Sequence, residues 1–224
     1  MSTIKMTRFL PGVTNLFLAA AMLVCFVTSK TQAQDMVKNV TPIHPYIGIK
    51  IGGNFSYLDG KSWDNGIKSN LVGGAYAGIK GLRMGLQIEA LFSQSDYTTG
   101  SSFHDVYSNY YNNIGDSLKN GIFRVSKLSI PILLQFKISG GLWLQLGAQF
   151  SGILSVDDRD NLLHDAKSIF TQNNIAGIGG LTWNLGKVNI GARYLFDFSN
   201  INNTNVDEVW KQHILQVHLG LRIL

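Results

Sequence analysis

The sequence predicts an all-β fold: an eight-stranded antiparallel up-and-down transmembrane β-barrel of the outer-membrane type, preceded by a cleaved signal peptide. Three observations support this prediction. Apolar and polar residues alternate in eight separate stretches, as they do in strands with one apolar and one polar face. The connections between these stretches alternate between short and long, as in barrels that cross a bilayer. The chain also opens with an apolar leader of the kind that directs export.

The first 33 residues have the composition of a secretory signal. Lys5 and Arg8 precede the apolar run LFLAAAMLVCFV, and Thr31 and Ala33 supply the small residues of a cleavage site. The run is shorter than the about 20 apolar residues that a membrane-spanning helix needs. We therefore predict a signal peptide over 1–33, a periplasmic lead-in over 34–45 and a barrel domain over 46–224.

The charge and cysteine content argue against several classes of function. The formal charge is +5, but Lys5, Arg8 and Lys30 lie in the leader, so the remaining chain is close to neutral and no nucleic-acid partner is predicted. Cys25 is the single cysteine and also lies in the leader. The mature chain therefore has no thiol for a disulfide or a metal site, and no cofactor or metal is predicted.

The alternation is clearest in KLSIPILLQFK, residues 127–137. Every second residue from Leu128 to Phe136 is apolar, while Lys127, Ser129, Gln135 and Lys137 share the other, mostly polar face. Each of the eight stretches is long enough to cross a bilayer at a tilt, for which about 9–11 residues suffice. The predicted strands are 46–57, 71–80, 82–93, 127–137, 142–151, 174–185, 188–197 and 213–224.

The connections fall into two sets. Tight turns are predicted near 80–83, 139–142 and 185–188, and long polar loops are predicted over 59–70, 94–121, 155–173 and 199–212. Short and long connections alternate along the chain, which is typical of outer-membrane barrels with short periplasmic turns and long outer loops. A soluble β-sandwich has no reason to sort its loops in this way.

The polar faces of the strands are predicted to line the lumen, because charge on the lipid face near mid-bilayer costs roughly 2–4 kcal/mol. Eight strands leave an interior that side chains fill, which disfavours a transport pore. Pro131 removes one donor from the ladder, so we predict a bulge or a bound water there. The charges predicted to face the lumen are Lys50, Lys80, Arg83, Glu89, Lys127, Lys137, Arg193, Asp197 and Arg222.

The stretch LSIPILLQFK resembles a signature of the PorT-like outer-membrane β-barrel family of Bacteroidota. Ile130-Pro131 and Leu133-Leu134 match that signature, with Phe136 and Lys137 in swapped order, and GKVNIGARYLFDFSNI (186–201) is similar to a second family stretch. The resemblance extends from about Ile47 onward. It implies an eight-stranded barrel in the outer membrane, and the namesake's part in type IX secretion implies a possible accessory role in a secretion apparatus.

The sequence favours a non-enzymatic structural or surface-interaction role, with the outer loops as the working surface. Tyr107, Tyr110 and Tyr111 in the cluster YSNYYNN are the candidate contact residues, because exposed tyrosines bind sugars and proteins well. Two alternatives stay open: the secretion accessory, and a barrel hydrolase acting on lipid or peptide with His104 or His164 as base. The expected location is the outer membrane of a Gram-negative bacterium. The expected partners are outer-membrane lipid, the barrel-insertion machinery and envelope or secretion-system proteins.

Overall fold

The computed structural model describes residues 43–64, 66–100, 102–110, 121–160, 163 and 165–224, without the side chains of residues 104 and 108. The predicted signal peptide and most of the predicted lead-in lie outside these residues. Between strands β3 and β4 a short helix, α1 (Phe103–Tyr107), continues into a 3-10 turn (Ser108–Tyr110). The strands are β1 (His44–Asp59), β2 (Lys68–Lys80), β3 (Met84–Thr98), β4 (Ile122–Ser139), β5 (Leu142–Asp158), β6 (Asn173–Leu185), β7 (Val188–Asp197) and β8 (Lys211–Arg222).

The eight strands form one closed antiparallel barrel in which each strand pairs with its neighbours in sequence. β1 pairs with β2 on one side and with β8 on the other, for example Ile51 with Gly73 and with Leu219. The predicted eight-stranded up-and-down barrel is therefore confirmed. No helix among the described residues is long and apolar enough to span a membrane.

The alternation in the sequence is what sets the inside and the outside of the barrel. β7 shows this most simply, because its residues alternate between exposed and buried from Val188 to Asp197. Ile190 and Tyr194 face outward, whereas Arg193 and Asp197 are buried inside. The barrel thus has an apolar exterior and a polar interior, the reverse of a soluble β-protein.

The connections lie at two ends that differ in character. The tight turns occupy 81–83, 140–141 and 186–187, and the structure places β1's first residue and β8's last residue at the same end. Gly140 and Gly186 have φ angles of 49° and 65°, a region that glycine enters without strain. The long connections, 60–67, 99–121, 159–172 and 198–210, gather at the opposite end. We call these the inner end and the outer end.

Three strands extend at least five residues further toward the outer end than the sequence predicts. β3 continues to Thr98, β4 begins at Ile122 and β5 continues to Asp158. Polar side chains pair on the outward face there: Asp96 lies opposite Arg124 and accepts hydrogen bonds of 2.7 and 2.8 Å from its guanidinium group. These bonds hold the pKa of the Asp96 carboxyl below its ordinary value. The ladder therefore continues where the apolar alternation ends.

Pro131 interrupts the hydrogen-bonded ladder between β3 and β4. β3 and β4 pair at Ile88–Ile132 and at Leu91–Ser129, but the two intervening pairs, opposite Pro131 and Ile130, are missing. The register is the same on both sides of this gap. Of the two arrangements predicted at Pro131, the bulge is therefore wrong, because the missing donor removes hydrogen bonds but adds no residue to the strand. The bound water stays a prediction.

Candidate functional site

The middle of the barrel is filled by a buried group of three charges. Lys50 on β1 donates to Glu89 Oε1 over 2.5 Å, and Arg193 on β7 donates to Glu89 Oε2 over 2.8 Å. The three side chains are 1% exposed or less. One carboxylate on β3 thus pairs with two cations, one from β1 and one from β7, which is how buried charges are tolerated.

Toward the inner end, a hydrogen-bonded layer continues this filling. Tyr46 donates to Gln87 over 2.8 Å, and Gln135 donates to the same Gln87 oxygen over 2.9 Å. Two cations of the same layer lie near the Tyr46 ring. The Lys80 ammonium is 5.1 Å and the Arg222 guanidinium 5.2 Å from the centre of this ring. Cations over aromatic faces are attracted by the ring quadrupole, so these two side chains help to close the inner mouth.

Toward the outer end the interior holds a smaller polar chamber. Lys127 donates to Gln212 over 2.7 Å, and the backbone nitrogen of Gln212 donates to Asp197 over 3.1 Å. The Ser129 and Ser151 hydroxyls lie 2.9 Å apart. The chamber has room for about one water molecule, so the described residues leave no continuous path through the barrel.

Several large interior side chains face a glycine on a neighbouring strand. Gly180 pairs with Arg193, and a Cβ atom added to it would lie 2.4 Å from the Arg193 Cβ. The barrel is so narrow that a bulky residue on one strand requires empty space on the next. The same pairing joins Tyr46 with Gly78, Tyr76 with Gly48, and His218 with both Gly52 and Gly191.

The outer end is closed by a second, apolar core, which we call the outer cap. Residues from the long connections and the strand ends meet above the chamber, with Trp63 and Trp210 at the centre, their rings 5.0 Å apart. Both tryptophans are at most 4% exposed. The buried members of the outer cap are Leu58, Trp63, Tyr97, Phe103, Tyr107, Phe123, Val125, Leu163, Ile169, Phe170, Ile201 and Trp210.

Glu208 ties three parts of the outer cap together. Its carboxylate accepts hydrogen bonds of 2.8 Å from the backbone nitrogen and from the hydroxyl of Ser62, and one of 2.7 Å from the Tyr107 hydroxyl. Burial would raise the pKa of Glu208, but the hydrogen bonds from Tyr107 and Ser62 outweigh it and hold the pKa below its ordinary value. Burial and the neighbouring carboxylate raise the pKa of Tyr107.

The tyrosine contact hypothesis is corrected by this arrangement. Tyr107 is 1% exposed and its ring packs 5.5 Å from that of Trp210, so it belongs to the core of the outer cap. Tyr110 is half-buried against the same core, and Tyr111 lies outside the described residues. Tyr107 therefore cannot contact a partner while the outer cap is folded.

The charges predicted to face the lumen divide into three groups. Lys80 and Arg222 are half-buried at the inner mouth, whereas Arg83 and Lys137 are exposed. The prediction for these last two is corrected: Arg83 lies in the turn before β3, where strand parity does not apply, and Lys137 lies at the end of β4, where the interior meets solvent. The five that the structure buries inside are Lys50, Glu89, Lys127, Arg193 and Asp197.

The structure does not test the hydrolase alternative, whose two candidate bases lie on the long connections. His164 and the side chain of His104 lie outside what the structure describes, so their role as a base stays a prediction. In the described part of the chain, no three His, Cys, Asp or Glu side chains come together as a metal site requires. His213, on the exterior of β8, lies 2.7 Å from the Tyr194 hydroxyl.

The outer cap is the feature that the sequence reasoning missed. The signal for it was present: Trp63, Phe103, Phe170 and Trp210 lie in connections that are otherwise polar. Large aromatic residues outside the strands need a place to be buried. Aromatic residues in all four long connections therefore indicate a shared core at the outer end.

Comparison with known proteins supports the fold. No protein-family model matches the chain, and a comparison with curated proteins gives no match. Membership of the PorT-like family therefore stays a prediction. Among solved structures the chain is similar to the Neisserial surface protein NspA, with 11% identity and a TM-score of 0.51 over 80% of this chain and 98% of that one.

Two other solved structures are similar at lower scores. Ail, the attachment invasion locus protein of Yersinia pestis, solved with the heparin analogue sucrose octasulfate, has 14% identity and a TM-score of 0.44 over 80% of this chain and 99% of that one. The translocator domain of the autotransporter NalP from Neisseria meningitidis has 10% identity and a TM-score of 0.21 over 95% and 99%. The likeness to NspA shows that this chain has the fold of an eight-stranded outer-membrane barrel.

Proposed function

We propose that the protein is a non-conducting barrel of the outer membrane that displays the surface of the outer cap to the cell exterior. Its role is structural and interactive rather than enzymatic. The observation that carries the proposal is the outer cap itself, because it packs residues from all four long connections into one core above a filled lumen. A surface that is ordered before binding loses little conformational entropy when a partner docks.

The membrane location is supported by the exterior of the barrel. Ile49, Ile51 and Leu219 lie at mid-height and are 52%, 62% and 51% exposed. Soluble proteins rarely expose a large continuous apolar surface, and here such residues encircle the barrel. Trp183 near the inner end and Phe92 near the outer end are 56% and 48% exposed on the same exterior, where aromatic residues favour the membrane interface.

The working surface that we propose is the exposed polar rim of the outer cap. Tyr107 is buried and Tyr110 half-buried. By contrast, three of the connections expose acidic residues, which are Asp105, Asp165 and Asp207. Lys61 and Arg159 are exposed among them. The surface is therefore mixed in charge, as rims of protein interfaces are, and no single residue identifies the partner.

The first test is electrical. The purified protein is inserted into planar lipid bilayers, and current is recorded across a range of voltages, with the porin fraction of the same cells as a positive control. We expect no steady conductance, because the Lys50–Glu89–Arg193 group blocks the lumen at mid-height. Stable conductance steps of a defined size contradict the proposal.

The second test asks whether the outer cap performs the function. A deletion strain is complemented with the parent chain or with the Tyr107→Ala variant, which removes a buried ring from the outer cap and leaves the strands intact. Surface-attached and secreted proteins are then compared by mass spectrometry. A display role predicts that Tyr107→Ala behaves like the deletion for a few surface proteins. A broad loss of exported proteins in the deletion strain that Tyr107→Ala restores instead favours the secretion accessory.

A further inference from the structure

The charged side chains that the structure describes at the inner end of the barrel are all cationic. Among the described residues this end carries Lys80, Arg83, Lys137, Lys187 and Arg222, and the nearest carboxylate side chain, Glu89, is buried at mid-height. Glu89 is already paired with Lys50 and Arg193. The outer end, by contrast, carries both signs.

Four of these cations form two opposed pairs. The backbone nitrogen of Lys137 donates to the Arg83 carbonyl over 2.8 Å, and that of Arg222 donates to the Lys187 carbonyl over 2.7 Å. The two pairs continue the β3–β4 and β7–β8 registers by one residue. Like charges directly across a ladder are destabilising unless an anion lies between them.

No carboxylate of the described residues supplies that anion. The ion pairs of the described chain involve other cations, and Arg222 Nε has no hydrogen-bond partner there. Arg83, Lys137 and Lys187 are exposed. Three of the four paired cations are thus open to their surroundings, whereas the Arg222 guanidinium lies over the Tyr46 ring.

The apolar residues next to the cations indicate that this end of the barrel lies at the membrane surface. Three exposed apolar residues lie within two positions of a paired cation. They are Leu82, Ile138 and Leu185, which are 64%, 55% and 49% exposed. Apolar side chains beside cations at the end of an apolar barrel mark the boundary between hydrocarbon and headgroups. The anions at that depth of a membrane are lipid phosphates.

We propose that the exposed cations of the two pairs, Arg83, Lys137 and Lys187, bind the phosphates of net-anionic glycerophospholipids in the leaflet at the inner end. This inference rests on the proposed membrane location. Guanidinium and ammonium groups bind phosphate through charge-assisted hydrogen bonds. A zwitterionic lipid is bound less well because its own ammonium group offsets the phosphate charge.

The test compares two variants with the same change in net charge. The inner variant is Arg83→Gln, Lys137→Gln, Lys187→Gln, and the control is Lys61→Gln, Arg159→Gln, Lys211→Gln, which neutralises three exposed cations at the outer end. The full chain is equilibrated with equal amounts of phosphatidylglycerol and phosphatidylethanolamine, and bound lipid is counted by native mass spectrometry. We expect phosphatidylglycerol enrichment in the parent and the control, and a loss of roughly fivefold or more in the inner variant.

Each other outcome counts against the proposal. Equal enrichment in both variants, or no enrichment in the parent, overturns it. Binding of soluble polyglutamate that depends on the inner cations, with no lipid preference, identifies an acidic protein partner instead, and full competition by inorganic phosphate identifies a free-anion site. Flotation with vesicles of phosphatidylethanolamine alone distinguishes failure of the proposed membrane location from failure of the lipid-binding inference. A parent protein that does not float refutes the membrane location. A parent protein that floats but shows no lipid preference refutes only the lipid-binding inference.

Discussion

Glu89 is the residue on which the interior charges depend. Replacing it by glutamine leaves Lys50 and Arg193 buried without an anion, and an uncompensated buried charge costs about 3–5 kcal/mol. We expect Glu89→Gln to lower the free energy of unfolding by that amount, as measured by urea titration of the refolded barrel in detergent. Lys50→Met is the matched control, because it leaves Glu89 and Arg193 as a neutral pair. A larger loss in Lys50→Met than in Glu89→Gln contradicts this account.

Glu208 should make the order of the outer cap depend on pH. Its pKa is lower in the folded protein than the ordinary value of 4.5, so its hydrogen bonds contribute fully above about pH 4.5 and are lost as the pH falls through the folded pKa. We expect the near-UV circular dichroism of the tryptophans to weaken over that acid range while the far-UV signal of the strands stays. The Glu208→Gln variant should lack this transition, and an unchanged transition in the variant assigns it to another group.

Tyr107 illustrates what residue-level reading of a sequence can miss. Its neighbours Ser108 and Asn109 are polar, which favours an exposed position. The partners that bury it, Glu208 and Trp210, are about a hundred residues away. A local sequence pattern carries no information about contacts between distant residues, so the outer cap could not be located from periodicity. The interior position of Glu89 could be predicted, because it follows from the alternation within one strand.

At the scale of the strand, interior glycines set how closely neighbours approach. Gly180 and Gly179 are adjacent on β6, but an added Cβ meets Arg193 at 2.4 Å in the first case and only Leu146, at 3.8 Å, in the second. Overpacking of this kind costs about 1–3 kcal/mol. We expect Gly180→Ala to reduce the heat-modifiable folded band on unboiled gels and Gly179→Ala to leave it unchanged. Equal behaviour of the two variants would mean that Arg193 moves aside.

The strands show where sequence periodicity holds and where it ends. All eight strands were predictable, because lipid on one side and a polar lumen on the other impose strict alternation. β5 was predicted to end at 151 but continues to Asp158. Beyond the apolar band the outer face no longer meets lipid and the inner face meets the apolar outer cap. The alternation of apolar outside and polar inside therefore ends, and residues such as Ser155 and Asp157 carry no sign of the hydrogen bonds that continue there.

At the scale of the whole molecule, the position of a residue along the barrel axis should decide the cost of a charge. Ile51 and Ile67 are both exposed isoleucines, 62% and 70%, but Ile51 lies at mid-height and Ile67 at the outer end. An arginine on the lipid face costs about 2–4 kcal/mol at the bilayer midplane and about 0–1 kcal/mol near the interface. We expect Ile51→Arg to be destabilised by the larger amount and Ile67→Arg by the smaller, as measured by reversible unfolding from lipid vesicles. A soluble barrel would tolerate both arginines equally, because each side chain would face water, so equal stability of the two variants would refute the membrane location.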